Sequence, residues 1–376
     1  MEPEDHVVEG GMSPGRSDRG SPALTAEQFH DVSGVFAGEH GLRAGWSVAL
    51  FVGLYYLLLA VVDEIVLSVY PRLAEGPLSP MHVLLGEALP FVVIFSTMLF
   101  MARVEHRSLW EYNLASAHWL RRFAAGFATG FVALSALVMA MALGGWLQFD
   151  RTTLSGAQAL KYGSIWAAAF LLVGFCEEGI FRCYLQATLT RGINFWWALA
   201  AVAGICLLLM TKPAAQGASG VYTMAALGVI PCWLLKRKGD ARAGFWQAAW
   251  ATSTAFGYFH TGNNGETWVG VFAASLIGFV FCVSVWLTGS AWWAIGCHMA
   301  WDWTETFFYG TADSGIVSRG HLLTTRPHGD GLWSGGSDGP EGSLLILPAV
   351  LLLLGILLTL YRRRPAALAE TEPLAD

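Results

Sequence analysis

Residues 163–187 read "GSIWAAAFLLVGFCEEGIFRCYLQA". The first half is unbroken apolar sequence, and the whole stretch has the length of a membrane span, which takes about 20 residues at a rise of 1.5 Å each. Into its second half the chain puts Glu177, Glu178 and Arg182, three charges within six positions. One charge at mid-bilayer costs about 2.5–3.5 kcal/mol even on the most lenient insertion scale. These groups must therefore be paired, hydrated or used.

The rest of the chain has the same texture. Of its 376 residues 55% are hydrophobic and only 13% charged, against about 25% charged in an ordinary soluble domain. Apolar runs recur at about 45–69, 81–102, 123–147, 163–187, 194–211, 219–235, 244–261, 268–288, 291–309 and 342–361. They predict an all-α polytopic membrane protein, with about ten transmembrane helices around an intramembrane cavity. The polar, Gly-, Ser- and Pro-rich residues 1–43 are expected to form a disordered tail with a short helix near 25–36, and residues 362–376 a second tail. Between them, 44–361 is the helical domain, and the Gly-rich stretch 310–341 is an outer loop, either a lid over the cavity or simply irregular.

With the N-terminus inside, the inner segments hold 15 of the 22 Lys and Arg residues and the outer loops 6. That bias places both termini in the cytoplasm, and the chain, if bacterial, in the inner (plasma) membrane. No basic patch interleaved with aromatics suggests nucleic acid. The six cysteines fall in apolar segments without CxxC spacing and read as buried fillers, not as a disulfide framework.

Glu178 and Arg182 stand i, i+4 with the acid first, the favourable order for an ion pair on one helix. Glu177 points about 100° away and is left free for proton transfer. Two of the ten histidines lie well inside downstream apolar segments: His260 in "AFGYFHTGNN" and His298 in "AIGCHMAWDWTETFF". Asp302 and Glu305 follow His298 at i+4 and i+7 on one stripe. Such a set makes either a general acid/base site or a group of metal ligands. Asp63, Glu64 and Glu87 fit no such spacing, and packing polarity is their expected role.

"EEGIFR" has the form EExxxR, Phe256 to His260 the form FxxxH, and His298 to Asp302 the form HxxxD. In this order, over about residues 160–310, they resemble the CPBP family of intramembrane proteases, which includes the type II CAAX prenyl endopeptidases and the bacteriocin-processing Abi proteins. The resemblance implies a glutamate-dependent endopeptidase acting on a membrane-associated peptide or protein. Glu177 and His260 would activate water, His298 and Asp302 would face the developing oxyanion, and Glu178, Arg182 and Phe256 would support them. It implies no cofactor and no metal. Two features depart from the family pattern: Asp302 replaces the amide of the prenyl endopeptidases, and 73 residues separate Arg182 from Phe256. The fifth and sixth segments are expected to be an inserted helical hairpin. The alternatives are a zinc site on Glu177, His260, His298 and Asp302, or a non-catalytic scaffold or transporter relaying protons through buried carboxylates. Substrate and oligomeric state are not legible.

Overall fold

The computed structural model describes residues 36–38, 41–69, 79–152, 154–210 and 218–361. Of the tails expected at 1–43 and 362–376, residues 1–35, 39–40 and 362–376, with most of the short helix near 25–36, lie outside the described residues.

The chain runs through α1 (Ala44–Val69), α2 (Pro80–Val104), α3 (Trp119–Leu143), α4 (Gly156–Gly192), α5 (Phe195–Met210), α6 (Ala218–Arg237), α7 (Ala243–His260), α8 (Trp268–Thr288), α9 (Trp292–Trp303) and α10 (Ile346–Tyr361), besides short turns of helix. Each expected apolar segment falls on one of these helices. Six of them, α1, α2, α3, α4, α6 and α8, are long and apolar enough to cross a membrane; α5 and α10 are apolar but shorter. An all-helical polytopic membrane fold therefore holds, while a count of ten spans does not follow. Helices suit a bilayer because each backbone N–H finds its acceptor within the segment.

Beside the helices stand two short strand pairs. Strands β1 (Ala37–Gly38) and β2 (Gly41–Leu42) form a small antiparallel pair, and β3 (Leu147–Thr152) pairs antiparallel with β4 (Leu323–Pro327). The second pair ties the 310–341 loop back to the end of α3. Thr324 and Thr325, β-branched residues in β4, suit an extended strand that periodicity of apolar residues does not reveal.

Local signals set the helix ends. Ser79 accepts from the backbone N–H of His82, and Pro80 opens α2 where no N–H is needed. Thr267 caps α8 by accepting from Gly270 N–H, and Gly289, at φ 71°, ends it in the left-handed region.

Small residues place the helices that carry the motifs. A Cβ on Gly126 or Gly130 of α3 would collide with the backbone carbonyls of Trp293 or Cys297 on α9, and one on Gly296 with the carbonyl of Phe123. Gly174 of α4 leaves 3.2 Å to the carbonyl of Ile295. Close backbone approach through glycine is how membrane helices pack tightly. Here it presses α9 against α3 and α4, so that His298 arrives beside the two glutamates.

Candidate active site

Glu177 and Glu178 lie within α4, immediately before a π-helical turn at Gly179–Leu185; α9 widens in the same way at Thr304–Tyr309, just after Asp302. Single π-helical turns inside helices frequently mark functional sites, and nothing in the one-dimensional pattern announces these two.

The expected ion pair is present. Arg182 Nε stands 3.2 Å from Glu178 Oε2, and both side chains are fully buried. The guanidinium lies 4.1 Å from the ring centroid of Phe256 and 5.3 Å from that of Phe281. Gly278 makes room for it, since a Cβ there would come to 2.5 Å from Arg182 Nη2. Phe256 thus acts as a cation–π wall for Arg182.

His298 completes the centre. Its Nδ1 is 2.8 Å from Glu178 Oε1. A carboxylate already paired with Arg182 can only accept, so Nδ1 carries the proton and donates. The other nitrogen, Nε2, is thereby aimed at Glu177 Oε2, 3.8 Å away, and at Asp302 Oδ2, 3.6 Å away. Both gaps exceed a direct hydrogen bond and suit a bridging water. The Glu177 side chain is 37% exposed, whereas that of Asp302 is 10% exposed.

His260 occupies the last position of α7, where the helix stops, and its Nδ1 donates to the carbonyl of Phe256 at 2.8 Å. With Phe256, Glu266, His298, Asp302 and Glu341 it lines a cavity of about 40 Å³. That volume suffices for water.

The structure therefore brings together Glu177, Glu178, Arg182, His298 and Asp302, and sets His260 across the adjoining cavity. As expected, Glu177 does not share the Arg182 ion pair; His298 faces it from α9. Among the described residues no ion pair links Glu177 directly to His260, which stands across the cavity. A helical wheel relates residues on one helix and is silent about which face a second helix presents.

Sequence reasoning passed over several residues near the centre. Glu87 of α2 stands within electrostatic reach of Glu177. Asp63 and Glu64 are exposed on α1. Glu266, Asp338 and Glu341 border or approach the cavity from loops, where burial, with Asp338 beside it, pushes the Glu266 carboxyl up to about 9. The signal that could have found Asp338 and Glu341 is a pair of acids in a Gly-rich loop without basic neighbours, "GGSDGPEGS".

Residues 159–243 and 240–304 match the profile of the family described as type II CAAX prenyl endopeptidase Rce1-like. The match runs through α5 and α6, the helices read from sequence as an insertion. No curated protein and no solved structure matches the chain. The likeness carried by EExxxR, FxxxH and HxxxD is thus borne out: residues 159–304 match the family of type II CAAX prenyl endopeptidase Rce1-like proteins, a peptidase family.

Proposed function

We propose that this protein is an intramembrane endopeptidase that hydrolyses a peptide bond of a membrane-associated peptide or protein, with both of its own termini on the cytoplasmic face. The observation that carries the reading is the convergence of Glu177 Oε2 and His298 Nε2, 3.8 Å apart, which suits one water bridging them from the side. That water gives a proton to Glu177, the more exposed carboxylate, as it attacks the scissile carbonyl. Glu177 then passes the proton to the amide nitrogen as the C–N bond breaks, and the acid and amine products leave. His298, held through Nδ1 by Glu178, turns Nε2 toward that water and toward Glu177. The Arg182 ion pair fixes Glu178, which in turn fixes the imidazole's orientation. Asp302 steadies Nε2 from the other side, in place of the amide of the prenyl endopeptidases. His260, whose Nδ1 donates to the Phe256 carbonyl, turns an accepting Nε2 to the cavity and is placed to hold water there, as the resemblance implies. The same cavity supplies the replacement water after each turnover.

The test is cleavage of a membrane-anchored peptide library by the purified protein in lipid nanodiscs. Wild type, Glu177→Gln and His298→Gln run in parallel, with and without a zinc-selective chelator. Loss in both variants with no chelator effect supports the glutamate and water mechanism. Chelator sensitivity restored by zinc hands the chemistry to a metal. Unchanged cellular function of Glu177→Gln overturns the enzymatic reading in favour of a scaffold or transporter.

A further inference from the structure

One turn beyond Asp302, Glu305 is fully buried in the π-helical turn that ends α9, and neither of its carboxylate oxygens has a hydrogen-bond partner. Burial without a partner is costly for a carboxylate, and a native protein resolves it with a proton or a cation. Two acids of the 310–341 loop converge on it. One ligand oxygen each from Glu305, Asp313 and Glu341 lie within 4.8 Å of one another. Among the described residues, no Lys or Arg forms an ion pair with any of the three.

The two loop acids are held from behind. Thr306 Oγ1 donates to Asp313 Oδ2 at 2.7 Å, and Trp301 Nε1 donates to Glu341 Oε1 at 2.9 Å. Each bond occupies one carboxylate oxygen and turns the group, as outer hydrogen bonds do around bound metals. At the bend after Glu305, Gly310 takes φ 62°, and Thr311 donates to the Glu305 carbonyl through its N–H at 3.1 Å and its hydroxyl at 3.0 Å. The backbone that brings Asp313 back toward Glu305 is therefore fixed.

We propose that Glu305, Asp313 and Glu341 form a binding site for a divalent cation, which fastens the 310–341 loop to the end of α9 beside the cavity. Three carboxylates with no thiolate or imidazole among them select a hard cation of the calcium class over zinc or copper. Oxygens within 4.8 Å of one another suit this class, whose metal–oxygen distance of about 2.3–2.6 Å sets opposite ligands about 5 Å apart. The site is separate from the Glu177–His298 gap. Glu341 borders the cavity as well, so the ion sets how closely the loop covers the water there.

The experiment is terbium binding to the full chain in nanodiscs, excited through tryptophan. Trp301, bonded to Glu341, is the antenna. Saturable luminescence at one ion per chain is expected, displaced by calcium, with affinity weakened about 100-fold or more in Asp313→Asn and Glu305→Gln. Thermal unfolding supplies a second reading. Calcium raises the melting temperature of the wild type and not that of the variants, while in EGTA the variants melt at or above the wild type because the amides remove repulsion. Luminescence kept in both variants would place the ion elsewhere and overturn the proposal. So would amides that raise the melting temperature equally with and without calcium, which would mean a cluster holding protons only. Should Glu305→Gln fail to fold, Asp313→Asn on the loop gives the same decision. No peptide substrate enters the measurement, so its failure and that of the peptidase reading are distinguishable.

Discussion

Removing Arg182 should be among the costliest single changes in the protein. Arg182 and Glu178 are both fully buried, with Nε 3.2 Å from Oε2 and Nη1 3.4 Å from Oε1. At an effective dielectric of about 20, unit charges at the shorter distance attract by about 5 kcal/mol. The stack on Phe256 adds about 1–2 kcal/mol more. Against this, Arg182→Met spares the desolvation of the guanidinium, and His298 still donates to Glu178 at 2.8 Å. The net expectation is a loss of about 3–5 kcal/mol, the range for breaking a buried pair from one side. Glu178→Gln alone strands the guanidinium and should cost a similar amount. The double variant strands neither, so about 2 kcal/mol or more of the summed single losses should return. Unfolding in mixed micelles, followed by tryptophan fluorescence on all four proteins, measures the cycle. A loss below about 1 kcal/mol for Arg182→Met would mean the pair behaves as a solvated one. Additivity within about 0.5 kcal/mol would mean the two side chains do not depend on each other. Either result refutes the reasoning.

Four further outcomes can be checked. Glu177→Gln should lower peptide cleavage by about 10²–10⁴-fold while leaving the melting temperature within a degree or two, because its side chain is 37% exposed and holds no buried charge in place. Gly130→Ala drives a methyl into the Cys297 carbonyl, backbone that cannot swing aside; it should cost about 1–3 kcal/mol or more and lower activity through the displaced His298. Glu105 accepts from Tyr184 at 2.7 Å, Tyr112 at 3.1 Å and Arg191 at 3.0 Å; Glu105→Ala should destabilise by about 3–5 kcal/mol, measured by unfolding, with substrate affinity in the surviving fraction unchanged. Burial raises the Glu266 carboxyl to about 9 and that of Asp338 to about 6. Both hold protons more tightly folded than unfolded, so the contribution of these two groups to the stability of cation-free protein should be greatest below pH about 4 and fall as pH rises through 6 toward 9. Glu266→Gln should flatten the upper part of that melting profile.

The membrane class and the positions of the helices were legible because apolar length and low charge are properties of the chain alone. The Glu178–Arg182 pair was legible too, since spacing four on a helix fixes which neighbours meet whatever the tertiary fold. The motifs named the acids and histidines of the site for the same local reason. Partnership across helices was not legible. That Glu177 faces His298 depends on the glycines at 126, 130, 174 and 296, which decide how α9 is pressed against α3 and α4. The widened turns after Glu178 and Asp302 were equally hidden, since a π-turn shifts one residue's worth of register without altering composition.

The loop divides in the same way. Its Gly-rich, acid-bearing character stands in the sequence, and so does its length. That β4 pairs with β3 more than 170 positions earlier, and that Asp313 and Glu341 meet Glu305, are long-range events. They depend on where the helix ends stand in space. By itself the sequence determined that this is a helical membrane protein carrying an EExxxR, FxxxH and HxxxD set. The tertiary structure alone decided which of those side chains face one another, because helix packing is set by contacts between residues far apart in the chain.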